Sequence, residues 1–130
     1  MKHNMAKILL VEDNENNRYL EQFLLEREGF TIVTATNGSL ALEAASLEKP
    51  DLIVMDIQMP EMDGYELAKR LKSDSELTHI PIVGVSSYAM AGDREKAMNV
   101  GFIGYVEKPI NPETFGQEIK RFFNKKGNQP

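Results

Sequence analysis

The chain has 130 residues, no cysteine, 15 Lys and Arg against 20 Asp and Glu, and a formal charge of −5. That length supports one domain with a core that needs no covalent staples. The lack of cysteine excludes disulfides and thiolate chemistry, which suits a reducing cytoplasm. A net negative charge argues against nucleic acid, whose phosphates call for clustered cations. No apolar run reaches membrane-spanning length, and no signal-peptide core follows Met1-Lys2-His3-Asn4, so neither a membrane partner nor secretion is expected.

Taken in order, Ile8-Leu9-Leu10-Val11 predicts a buried strand that runs straight into Glu12-Asp13. Asn14 then serves as N-cap for a helix with Leu20, Phe23, Leu24 and Arg27 at helical spacing, stopped at Gly29. Residues 31–35, β-branched up to Ala35, read as a short strand. Asn37-Gly38 turns the chain into a helix whose apolar side is Leu40, Ala41, Ala44 and Leu47, closed by Pro50.

Leu52-Ile53-Val54-Met55 has no polar alternation, the mark of a strand buried on both faces, and it ends abruptly on Asp56. Pro60 cannot continue a ladder, and Asp63-Gly64-Tyr65-Glu66 reads as a capping box that opens a helix with Leu67, Ala68 and Leu71 inward. After a polar loop, Ile82-Val83-Gly84-Val85 is a strand ending on Ser86-Ser87. Residues 91–100 predict a weaker helix, poor in large apolar side chains. The fifth strand, 102–106, closes on Glu107-Lys108-Pro109. Asn111-Pro112 predicts N-cap and first helical position of a last helix with Phe115, Ile119 and Phe122 inside.

Five strands alternating with five helices imply an α/β, doubly wound parallel sheet covered on both faces, a three-layer (βα)5 sandwich. The expected organisation is a single domain over 1–130 with its core over about 6–124. In such a sheet all strand C-termini emerge on one edge, where ligands bind. Four of them here carry Glu12-Asp13, Asp56, Ser86 and Lys108. Carboxylates gathered there would raise one another's pKa unless a cation sat among them, and a hard divalent ion with oxygen ligands, Mg²⁺ or Mn²⁺, is the expected one. Lys108 offers a point charge, and Ser86 a hydroxyl, to a phosphoryl oxygen. These are the parts of a phosphoryl-transfer site with Asp56 as nucleophile.

The acidic pair, Asp56, Met59-Pro60, Asp63-Gly64, Ser86, Tyr105 and Lys108-Pro109, in that order and at those strand ends, resemble the receiver domain of two-component response regulators. The resemblance covers residues 8–122. It implies a flavodoxin-like fold with strand order 2-1-3-4-5. It also implies a phosphoacceptor at Asp56, Mg²⁺ held by Glu12, Asp13, Asp56 and the Gln58 backbone carbonyl, and Lys108 on the phosphoryl group. Ser86 and Tyr105 would form the switch, the ring turning inward as the hydroxyl moves. Gln58 and Tyr88 would border the path of the hydrolytic water and set the phosphoryl lifetime. The implied partners are a histidine kinase or histidine phosphotransfer protein, and a target on the face formed by the fourth helix, fifth strand and last helix.

Three other classes compete. A haloacid-dehalogenase-type phosphohydrolase would want an acid at position 58, which is Gln. A flavodoxin would want a hydroxyl- and Gly-rich first loop, which here is Glu12-Asp13-Asn14-Glu15-Asn16. A docking domain that is never phosphorylated would usually have lost one of the site residues, and all are present. The expectation is a signalling switch, either a stand-alone receiver or a piece of a hybrid kinase. His3 and His79 have no expected role.

Overall fold

The computed structural model describes residues 6–87 and 91–127. Five strands, β1 (Lys7–Val11), β2 (Thr31–Ala35), β3 (Leu52–Asp56), β4 (Ile82–Ser86) and β5 (Phe102–Glu107), alternate with five helices. The helices are α1 (Glu15–Arg27), α2 (Gly38–Glu48), α3 (Gly64–Lys72), α4 (Ala91–Asn99) and α5 (Phe115–Gly127). The strands form one sheet, all parallel, in the order β2-β1-β3-β4-β5. Both the strand count and the expected order are met.

The central strands are buried end to end because both faces are covered: every residue of β3 and β4 is buried. Two apolar clusters result. One packs Leu67, Leu71, Phe102 and Tyr105 against Met55 and Ile57, and the other packs Leu24, Leu25, Phe115 and Ile119 against Ile8, Leu10 and Val54. Full burial of such side chains stabilises by about 1.5–3 kcal/mol each.

Helix starts follow the sequence signals. The side chains of Asn14, Asn37 and Asp63 accept from the backbone N–H groups of Asn17, Leu40 and Glu66 at 2.8, 2.8 and 3.0 Å. The reciprocal half of the capping box at Asp63 is not made, because Glu66 instead receives Arg70 Nε at 3.0 Å. The last helix also departs from expectation. Asn111 Oδ1 accepts from the Glu113 N–H at 2.9 Å and its carbonyl from the Phe115 N–H at 2.8 Å, so a turn precedes the regular helix, which begins at Phe115.

The inner faces of two helices are rotated from those expected. In α1 the buried residues are Glu21, Leu24 and Leu25, while Leu20 and Phe23 are exposed. In α2 they are Gly38, Ala41 and Ala45, while Leu40 and Leu47 face outward. Small side chains let α2 approach the sheet closely and leave its leucines on the flank. Close approach also explains Gly64, where a Cβ would sit 2.8 Å from the Ile57 Cα. That glycine lets α3 start directly above the end of β3.

Candidate receiver site at the strand C-termini

Topology assembles the site. Asp56 is the last residue of β3 and pairs with Val85, so Ser86 lies one position further along the neighbouring strand, with strands about 4.8 Å apart. Ser86 in turn pairs with Glu107, and its carbonyl accepts from the Lys108 N–H at 2.8 Å, which seats Lys108 beside the end of β4. On the other side, β1 delivers Glu12, whose N–H donates to the Ala35 carbonyl at 3.1 Å.

The side chains then converge. Carboxylate oxygens of Glu12, Asp13 and Asp56 lie within 4.8 Å of one another. Lys108 Nζ stands 3.3 Å from Glu12 Oε1 and 3.2 Å from Asp56 Oδ1. Glu12 and Asp56 are buried, whereas Asp13 is exposed. The Asn14 N–H donates to Glu12 Oε2 at 3.1 Å, and Arg18 Nη1 donates to the Glu12 carbonyl at 3.0 Å.

Burial, and then the charge of Asp56, push the Glu12 carboxyl above the usual range. Burial also raises Asp56, against the pull of Lys108. Burial works against the Lys108 ammonium too, but Glu12 and Asp56 outweigh it and hold its pKa above the ordinary value. Three carboxylates against one ammonium leave two negative charges in excess when all are ionised. An all-oxygen donor set with that surplus fits a hard divalent cation.

Beside this group, the Gln58 N–H donates to Asp56 Oδ1 at 3.3 Å, and Gln58 Nε2 donates to Ser86 Oγ at 2.7 Å. Ser86 is fully buried. Tyr105 lies on β5 beside Gly84, with its ring already inside the core at 6 % exposure and the Arg94 guanidinium 5.4 Å from its centroid. Of the residues singled out from sequence, Glu12, Asp13, Asp56, Gln58, Ser86 and Lys108 gather at one edge, and Tyr88 lies outside the described residues.

Sequence reasoning missed Glu21. This α1 carboxyl is 2 % exposed and sits close enough to the site to feel its charges. Burial, with Glu12 and Asp56 adding to it, pushes its pKa up to about 8. The available signal was its place one turn before Leu24 and Leu25, on the stripe that packs inward.

Comparison with known proteins agrees with this geometry. The response regulator receiver domain family matches residues 8–120, and the chain belongs to that family. It is a receiver domain of two-component signalling, a signalling switch. Among its relatives is the polar-differentiation response regulator DivK of Brucella anthropi, 44 % identical over 115 residues, which are 88 % of this chain and 94 % of that one. The chemotaxis response regulator CheY4 of Vibrio cholerae superposes with a TM-score of 0.86 at 31 % identity, covering 92 % of this chain and 99 % of the other. The receiver domain of sensor histidine kinase PA1611 from Pseudomonas aeruginosa has a TM-score of 0.82 at 27 % identity over 93 % and 99 % of the two chains. That structure holds a magnesium ion in its active-site cleft. Receiver domains bind Mg²⁺ at an acidic pocket, and Glu12, Asp13 and Asp56 form such a group here. They work with histidine kinases or phosphotransfer proteins and with downstream targets. No helix among the described residues is long and apolar enough to cross a membrane.

Proposed function

We propose that Asp56 is the phosphoacceptor of this receiver. The observation that carries the reading is a buried carboxylate at the lip of β3 with Lys108 Nζ 3.2 Å away and two further acids beside it. An Asp56 oxygen attacks the phosphorus of a phosphohistidine donor. The P–N bond breaks, the imidazole leaves with its electron pair and takes up a proton, and an aspartyl phosphate forms. Lys108 meets the developing charge on the phosphoryl oxygens, and its seat on the Ser86 carbonyl keeps it there.

Magnesium, or manganese in its place, would be held by Glu12, Asp13, Asp56 and the Gln58 carbonyl, where it would neutralise charge on the phosphoryl oxygens. Hydrolysis returns the switch to rest: water attacks the phosphorus, the bond to Asp56 breaks, and inorganic phosphate leaves. Ser86 and Tyr105 read the modification, and the target docks on the face of α4, β5 and α5. We place the protein in the cytoplasm as a single receiver domain. The likeness to DivK supports a stand-alone receiver. A piece of a hybrid kinase is the second reading, favoured by the likeness to the PA1611 receiver.

The test is incubation with Mg²⁺ and acetyl phosphate, scored as acid-labile phosphate on the protein. The parent should label in a Mg²⁺-dependent manner and Asp56→Asn should not; equal labelling of the two overturns the assignment. Lys108→Ala should bind Mg²⁺ as the parent does while failing to label.

A further inference from the structure

Gln58 touches three parts of the site at once. Its backbone N–H reaches Asp56 Oδ1 at 3.3 Å, its Nε2 donates to Ser86 Oγ at 2.7 Å, and its Oε1 accepts from the Ser87 N–H at 3.0 Å. Both ends of the side-chain amide are thus committed to the last turn of chain leaving β4. The two contacts are separated by 28 and 29 residues in sequence, so they are tertiary ties and not local turn geometry. The Ser86 contact is part-buried and so shielded in part from competing water, whereas the Ser87 contact is exposed.

We propose that Gln58 is the resting latch of this switch. Its amide holds Ser86 and Ser87 in their unphosphorylated position, and a phosphoryl group on Asp56 signals by drawing Ser86 out of that grip. The inference rests on Asp56 as phosphoacceptor and adds a positioning residue to it. The Gln58 Nε2 donor occupies a lone pair of the Ser86 hydroxyl and fixes the oxygen's place. A phosphoryl group on Asp56 competes with that 2.7 Å bond for the Ser86 hydroxyl. The Ser87 bond, through the same amide, moves with it. Asp56 is tied to the same loop: the Gln58 N–H donates to its Oδ1 at 3.3 Å, so a change of charge on that carboxylate reaches the residue that carries the latch. Resting and signalling states then differ in which group owns the end of β4.

Gln58→Met keeps the length of the side chain and removes both donor and acceptor. Amide NMR spectra of the parent and of this variant, each with Mg²⁺ and with or without acetyl phosphate, test the idea. In the parent, acetyl phosphate should move the Ser87 amide along a defined shift vector. In unphosphorylated Gln58→Met the Ser87 amide should already lie part-way along that vector, with the switched population raised about 2- to 10-fold. Its exchange with solvent should quicken by a similar factor.

A responsive parent beside a variant whose Ser87 amide stays at the parental position, or moves off the vector, overturns the latch and leaves the phosphoacceptor reading standing. A parent that does not respond sinks both. If Gln58→Met does not fold, Gln58→Ala is read against the same vector and by the same criteria.

Discussion

Helices α3 and α4 are both nine residues long, and they are held by different means. Helix α3 buries Leu67, Ala68 and Leu71 and starts on a glycine pressed against the backbone of β3. Helix α4 buries only Ala97 among its described side chains. Among the described side chains it is also held by cations over rings: Arg94 5.4 Å from the Tyr105 centroid and Lys96 4.4 Å from that of Tyr65. Apolar burial contributes per unit area and makes α3 part of the core. Contacts to ring faces contribute about 0.5–1 kcal/mol each at exposed sites, which makes α4 a docked element. An element of low local stability beside Tyr105, one of the proposed switch residues, is the one best suited to report on it.

The contrast can be broken or sharpened by substitution. The largest effect belongs to α3: Leu71→Ala should destabilise the fold by about 2–5 kcal/mol, read as a lower midpoint in urea with unchanged slope. A loss below about 1 kcal/mol would mean that α3 is no better anchored than α4.

Next comes the scaffold's own weak point, Glu21. Its folded pKa of about 8 lies above the ordinary carboxyl value of 4.5, so between those pH values the folded state binds the extra proton. Stability therefore falls as pH rises through that window, and Glu12 and Asp56 slope the same way. Glu21→Gln should stabilise by about 2–3 kcal/mol at pH 7, and by almost nothing near pH 4.5. A pH-independent effect in paired denaturation curves would refute that account.

Arg94→Ala should cost the global fold about 1 kcal/mol or less, while amide exchange within α4 quickens and that of α3 stays constant. Equal exchange changes in both helices would erase the distinction. Smallest of all, Arg70→Ala removes the exposed pair with Glu66 and should lower the stability read from urea unfolding by no more than about 0.3–0.5 kcal/mol.

The same division governs what could be read in advance. Strands were legible because Leu52 to Met55 and Ile8 to Val11 are unbroken apolar runs, and the acids at their ends follow from parallel topology alone. Helix faces were less so. Helix α1 carries apolar residues on two flanks, and hydrophobicity cannot say that Glu21, not Leu20 or Phe23, turns inward. The tertiary ties of Gln58 depend on how the loop after β3 lies across the end of β4, which no local pattern encodes. Likewise the ring of Tyr105 could be placed on its strand by sequence, but its burial depends on Arg94 and the core around it.

The aromatic contact under α4 gives the molecule an optical property of its own. Lys96 lies over Tyr65, Tyr65 stacks on Phe102 with centroids 6.2 Å apart, and the Phe102 ring fills the space a side chain at Gly84 would need. That column runs from α4 through α3 and β5 to β4. With no tryptophan and four tyrosines in the chain, near-ultraviolet emission is tyrosine emission undiluted by energy transfer to an indole. Tyr19, 77 % exposed on α1, supplies a steady background, whereas Tyr65 sits where any displacement of α4 changes the charge over its ring. Intrinsic fluorescence, compared between the parent and Tyr65→Phe, is thus a label-free gauge of where the fourth helix rests.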